Sequence, residues 1–503
     1  MSSKLSRRDF FKASGILAAG MALAACQPSL AEAEPAYPTL APDPGSASPP
    51  LTDEALLLHT LKRISFGVTP AMLARARSIG LDAYIEEQLF PENHDNSEVE
   101  NLLSNLKTLT MTAKERLDLE KDAQSIQELI GATLLQQWKS PSQLYEVMVD
   151  FWTNHFNIYI VKNQCRVLKT DDDQAVIRPY ALGKFGELLS ASAHSPAMLV
   201  YLDQATSTRR APNENYAREL LELHTVGVDG GYSHEDVVEL ARTLTGWSVT
   251  GFRDRNQEPG QFSFRRQAHD DGQKQVLGTV VPAGGGIEDG EIILDMLAQH
   301  PMTARFISTK LARRFVADDP PASLIEKLSQ VFLSTAGDTR EMLRTLLHSD
   351  EFKASAGQKM KRPLEFFISA LRVTDAKIQR TPRALTTYLR QMGQMPFFWS
   401  PPTGYPDYAA WWATTSGMLN RWNFALLLTA GEVPGVAINL STLTADAASA
   451  QDLVDLLSIR FLSKKLPSDA RDILIDFAST GSLDKNLPDI AGLILGSPHF
   501  QVR

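Results

Sequence analysis

Residues 140–157 read SPSQLYEVMVDFWTNHFN, and the spacing of the apolar side chains in this stretch decides the fold class. Leu144, Val147, Met148, Phe151, Trp152 and His155 recur at i, i+3, i+4, i+7, i+8 and i+11, a full stripe down one face of a helix opened by Ser140-Pro141 with Gln143. Asp150, Asn154 and Asn157 fall on the opposite, polar face, where Asn154 can present polar groups to a cleft. His155 lies on the apolar side, where a histidine satisfied by a hydrogen bond is the reading preferred over a ligand.

Outward from this helix the same signals repeat. Thr52 with Asp53 and Glu54, Thr69-Pro70 with a stop at Gly80, and Thr112 with Glu115 each open a helix, the last running to about Trp138. Further helices are expected over 302–316, from Asp338 with Glu341 onward through Leu364 to Val373, and over 451–462 and 468–477. The fold class is mainly α, a multi-helix body over 51–503, and 503 residues exceed one core, so two or three lobes are expected. The pattern changes over 248–289, where 261–265 and 274–278 read as strands of a small β-hairpin insertion with His269-Asp270-Asp271-Gly272 at its turn.

The densest chemistry lies in Pro212 to Trp247, PNENYARELLELHTVGVDGGYSHEDVVELARTLTGW. Glu214, Arg218 and Glu222 form one charged ridge at i, i+4 and i+8, His224 ends the first helix before Gly227, and Ser233 with Asp236 caps the second, which closes at Gly246. Glu214, Arg218, His224, Glu235 and His269 are therefore the candidate catalytic residues, weighed against a purely structural ion-pair ladder clamping two helices. Familiar templates fail here. Val238 replaces the second histidine of an HExxH zinc motif, and Leu240 stands at the twelfth position of a calcium loop begun by Asp229. Ser248 lacks the second glycine of a nucleophile elbow, and Glu291 follows Gly285 to Gly290 in place of a phosphate-loop lysine. No motif assigns a metal or a cofactor.

Residues 392–422, MGQMPFFWSPPTGYPDYAAWWATTSGMLNRW, gather four of the seven tryptophans among four prolines. Trp399, Tyr405, Trp411 and Trp412 are the candidate ligand-binding residues, rigid rings able to stack on sugars or apolar polymers; the bland alternative is a long loop pinned to the core by its aromatics.

The N-terminus carries an address. Arg7 and Arg8 within SRRDFFK, followed by a weakly apolar run, match a twin-arginine export signal, so the translocase of that route is the expected first partner. Leu23-Ala24-Ala25-Cys26 reads as a lipobox closing the signal over residues 1–26, with Cys26 the acylated first residue of the mature chain and residues 27–50 a Pro/Ala/Ser-rich tether. The expected location is the envelope, facing the periplasm, at the outer membrane more than the inner; cleavage after Ala33 would leave a soluble periplasmic protein. Acylation leaves Cys165 alone, read as a packed thiol. A net charge of −9 argues against a nucleic-acid partner.

Together, Arg63-Ile64-Ser65-Phe66-Gly67, Phe151-Trp152-x-Asn154-His155, Asn215-Tyr216-Ala217-Arg218-Glu219-Leu220, Ala241-Arg242-x-Leu244-Thr245-Gly246-Trp247, His269-Asp270-x-Gly272-x-Lys274, and Gly393-Gln394-x-Pro396-Phe397 with Gly404 resemble the bacterial family catalogued as domain of unknown function 1800. Tyr405 stands where members often carry tryptophan. The resemblance implies export and, in many cases, a neighbouring co-exported protein resembling sulfatases, and supplies no reaction. The expectation is an envelope-anchored binding or assembly protein working with such a partner; the alternative is a hydrolase or metal-assisted enzyme on envelope or extracellular polymer, with Glu214 or Glu235 as acid or base and His224 or His269 in support.

Overall fold

Helices predominate in the computed structural model, which describes residues 51–120, 123–251, 258–378 and 385–503. Arg7, Arg8, Cys26 and the tether lie outside the described residues. The helix Gln143–His155 forms as its spacing requires, with Leu144, Val147, Met148, Phe151, Trp152 and His155 all buried. Buried apolar side chains from Leu57 to Phe500 make one contiguous cluster around it.

Helix starts follow local side-chain chemistry. Thr52, Thr69, Ser233 and Asp338 each accept a hydrogen bond from a backbone N–H of the following turn, as expected of caps. Thr112 and Glu115 do form a reciprocal capping box, yet their helix Ala113–Leu117 stops at Asp118, and a separate helix, Ala123–Lys139, follows. The expected single helix to Trp138 is thus two. The helix from Glu214 to Glu219 widens into a π-helical turn over Leu220–His224, and the next helix, His234–Thr243, ends three residues before Gly246.

The insertion is β, in two hairpins. Trp247–Val249 pairs with Phe262–Phe264, and Lys274–Val276 pairs with Thr279–Val281, both antiparallel. The two strands expected to pair with each other therefore do not: Lys274–Val276 pairs with the segment just after it across a tight turn, and Phe262–Phe264 pairs with Trp247–Val249, which follows the helix His234–Thr243. Ordering a longer loop costs more entropy than closing the tight turn at Leu277-Gly278, which favours the local pairing. A third short ribbon joins Lys377–Ile378 to Val436–Ala437. No helix among the described residues is long and apolar enough to cross a membrane.

The polar face of Gln143–His155 ties the molecule together. Glu146 receives two hydrogen bonds from Arg178, Asp150 pairs with Arg314 and Arg362, and Asn154 and Asn157 hold the segment that contains Trp399 and Tyr405. One helix face thereby fixes four distant parts of the chain.

Candidate functional site

The residues flanking the diglycine bend separate into surface and interior. Glu214, Arg218 and Glu222 do form the ridge expected of them, at 3.9 Å from Arg218 Nη2 to Glu214 Oε2 and 3.6 Å from Nη1 to Glu222 Oε1. At such lengths and partial exposure, pairs of this kind contribute at most about 1 kcal/mol. Glu235 is exposed beside Asp236 and Glu239 in a shallow depression.

His224 and His269 go the other way. His224 is buried among Phe156, Tyr216 and His155, and burial followed by the nearby Lys310 charge lowers its imidazole to about 3, so the ring is neutral. His155 Nε2 donates to the His224 carbonyl at 3.1 Å, and its Nδ1 accepts from Lys310 Nζ at 2.9 Å. His269 has no exposed surface: Nδ1 donates to the Thr245 carbonyl at 2.8 Å and Nε2 meets Asp289 Oδ2 at 3.0 Å, which also accepts from Lys274 Nζ at 2.6 Å. Two sealed histidines cannot line a hollow that solvent reaches, so Glu214, His224, Glu235 and His269 are not brought together at one open site.

What these strings do instead is dock segments. Arg242 grips both oxygens of Asp270 at 2.9 and 3.2 Å, and Thr245 Oγ1 accepts from Asp270 N at 2.8 Å, so the helix His234–Thr243 and the hairpins lock together. Gly290 lets the indole of Trp247 approach: a Cβ there would stand 2.3 Å from it. Cys165 is a buried free thiol, pushed up to about 12 by burial, in line with a packed residue.

The four aromatic candidates, by contrast, do converge. Trp399 lies 4.8 Å from Tyr405 and 5.9 Å from Trp411 between ring centroids, the latter edge-on, and Tyr405 lies 5.9 Å from Trp412. Trp412 is buried and donates to the Pro406 carbonyl at 2.8 Å, anchoring the group, while Trp411 is 38% exposed at its outer edge. Edge-to-face and tilted contacts of this kind hold rings in fixed relative orientation.

The backbone under these rings is held as firmly. Asn154 accepts from Tyr405 N at 2.7 Å and donates to Tyr405 O at 2.8 Å, imitating one rung of a β-ladder. Asn157 donates to the carbonyls of Trp399 and Pro401, and Tyr201 Oη donates to that of Ser400 at 2.7 Å. Gly404 is required where it stands, since φ is +73° and a Cβ would lie 2.1 Å from the Asn154 carbonyl. On the far side, Lys359 bridges Asp318 at 2.6 Å and Asp407 at 3.2 Å, Asp318 accepts from Ala409 N at 2.6 Å, and the Arg313 guanidinium lies over the Tyr408 ring.

Two carboxyls that residue spacing did not single out are perturbed. Glu219 is half-buried, has no hydrogen bond to its carboxylate among the described residues, and is raised to about 7 by burial, then by the Glu222 charge. It is near enough to couple with Tyr201, whose hydroxyl supports the aromatic segment. Its exposure could not be read from a helical ridge in which Glu214 and Glu222 looked equivalent. Glu146 is raised by burial at the wall of a cleft enclosing about 1100 Å³, open to solvent and lined also by Tyr145, Asn96 and Arg340. Both its oxygens are taken by Arg178 at 3.1 and 3.2 Å, which marks a lock between helices. Among the described residues no group of three or more His, Cys, Asp or Glu side chains is placed to hold a metal ion.

Compared with known proteins, residues 59–502 match the family model described as "Protein of unknown function (DUF1800)". No curated protein and no solved structure matches the chain.

Proposed function

The chain belongs to the DUF1800 family, and from that premise we propose that it is an exported, lipid-anchored envelope protein that binds through its aromatic segment and works in assembly with a co-exported, sulfatase-like partner. The observation that carries this reading is the rigid cluster of Trp399, Tyr405, Trp411 and Trp412, with Trp411 presented at the surface. Aromatic anchors held in one conformation before contact lose little entropy on binding, which is what a recognition surface needs. The export and lipid parts of the proposal rest on Arg7, Arg8 and Cys26 in the sequence. Cys26 as the membrane tie and the 27–50 tether would hold the body away from the lipid, with the platform free to meet a partner or a polymer.

The test is co-purification. The tagged full chain is recovered from detergent-solubilised envelopes of its native host, beside a Trp399→Ala/Trp411→Ala variant, and the bound proteins are identified by mass spectrometry. The expected result is a sulfatase-like protein that accompanies the native chain and is lost from the variant, at unchanged thermal stability. Equal recovery with both, or with neither, would overturn the reading.

A second reading, a hydrolase acting on envelope polymer, is favoured by one observation: Glu219, half-buried and raised to about 7 by burial, near Tyr201, whose hydroxyl supports the aromatic segment. A carboxyl titrating there suits general acid or base work at neutral pH. On this reading it replaces Glu214 and Glu235 in that role, with the rings as the substrate platform.

A further inference from the structure

Three elements far apart in sequence meet at a narrow recess of about 350 Å³, part of it open solvent, and its walls are strongly basic. Lys62 comes from the helix Asp53–Arg63, Lys361 precedes the helix Pro363–Val373, and Arg503 follows the short helix Pro498–Gln501. One carboxylate, Glu365, faces this space, and it is already neutralised. Its Oε1 takes Arg314 directly and Arg503 Nη1 at 2.9 Å, with Arg362 Nη2 at 3.6 Å, and its Oε2 accepts from Arg362 N at 2.7 Å. Asp150 is shared by Arg314 and Arg362, and Asp318 and Asp407 are both held by Lys359.

That leaves cations that no carboxylate contacts, Glu365 acting on Arg63, Lys361 and Arg421 only at longer range. None of Lys62, Lys361, Arg63 or Arg421 forms an ion pair with a carboxylate among the described residues; each has carbonyl, hydroxyl or ring neighbours or only other charges at longer range. Arg63 Nε and Nη1, Arg421 Nε and Nη2, and Arg503 Nε are buried and have no acceptor. Buried N–H groups are nearly always paired, and a guanidinium left without an acceptor in the interior costs several kcal/mol. Of these groups, Arg503 lines the recess beside Lys62 and Lys361, and Arg63 and Arg421 stand outside its lining. Lys361 Nζ donates to Ser369 Oγ at 2.9 Å and lies 3.5 Å from the centre of the Phe500 ring, which leaves a further ammonium hydrogen for another acceptor. Burial holds Lys361 well below the usual lysine range, the charges of Lys62, Arg503 and Arg421 adding to it and that of Glu365 opposing it, and brings Lys62, beside Lys464, to about 8.

We propose that this recess is a binding site for a small, doubly charged tetrahedral oxyanion free in solution, phosphate or sulfate, held by Lys62, Lys361 and Arg503, with Ser369 and the mass of buried guanidinium charge behind them. The narrowness of the recess selects a compact ion over an extended ligand. Tetrahedral oxygens can meet donors arriving from three directions, which a planar carboxylate cannot do as well. Lys62 and Lys464 at the partly exposed rim steer an anion inward. The site does not depend on the role of the aromatic segment.

The experiment uses the full chain without ligand, titrated with inorganic phosphate and with sulfate against sodium chloride at matched ionic strength, read by thermal unfolding and by calorimetry. The expected result is a saturable rise in Tm with one ion bound per chain. Lys361→Met and Lys62→Met each weaken that binding by about tenfold or more, the loss expected for one charged hydrogen bond, while the surface variant Arg75→Met binds as the native chain does. Should Lys361→Met fail to fold, Lys62→Met, at the partly exposed rim, decides the matter. Phosphate and sulfate acting no differently from chloride, or undiminished binding in the folded lysine variants, would overturn the proposal.

Discussion

His59, His155 and His224 are three imidazoles that the fold keeps neutral. Burial lowers His59 and His224 to about 3 and His155 well below its usual value, in each case with a neighbouring cation adding to the effect. The sign follows from which state binds the proton. In the unfolded chain these rings protonate below about pH 6.5, whereas the folded chain refuses the proton until about pH 3. Their contribution to stability is therefore complete above pH 6.5 and is lost as pH falls through that window, by up to about 1.4 kcal/mol per pH unit for each ring. Chemical unfolding measured at intervals from pH 7.5 to 5 should show this slope, and His224→Leu should flatten it by roughly one ring's share. An unchanged slope would mean that His224 takes up its proton in the folded state. Residue identity alone placed His155 on the apolar side of its helix, correctly, because helical period is a local property. It could not show that His224 and His269 are sealed, because what covers a side chain comes from elements far away in sequence.

At the scale of the element, the polar stripe of Gln143–His155 organises the rest. The apolar stripe was legible as a spacing of three and four; the partners of the polar stripe were not, since Arg178, Arg362, Tyr405 and Trp399 lie up to hundreds of residues away. The same distinction explains the hairpins. The caps at Thr52 and Ser233 depend on three residues and were readable, whereas strand pairing depends on tertiary partners as well as loop length, and the pairing of 261–265 with 274–278 gave way to one tight hairpin and one ribbon with Trp247–Val249. Asn154 is the sharpest element-scale test. Asn154→Ala removes both bonds to Tyr405 and leaves two backbone groups without their partner, a cost of about 1–3 kcal/mol. Beyond that loss of stability, hydrogen exchange should speed up in 399–412 and stay unchanged in 214–243. Equal acceleration in both segments would show that Asn154 supports the whole fold and not the aromatic segment in particular.

For the molecule as a whole, the side chains richest in chemistry by sequence are mostly the ones that hold it together. His269 and Lys274 with Asp289, and Glu365 with Arg314 and Arg503, are closed, buried pairs between segments. Such pairs contribute little net stability when intact, yet breaking one costs about 3–5 kcal/mol because a buried charge is left alone. Arg503 illustrates what the linear chain hid: the C-terminal stretch reads as featureless, and its guanidinium reaches Glu365 only after more than a hundred residues have folded back. The rings of 399–412 differ in being collected, rigid and partly exposed. Contact should therefore occur there and not at the diglycine bend. Photo-crosslinking in the living host tests this most directly, with a benzophenone amino acid placed at Trp411 in one strain and at Glu235 in another. A specific covalent adduct from position 411, with none from 235, is the predicted result; an adduct from 235 alone, or none from 411 in a folded and exported chain, would contradict it.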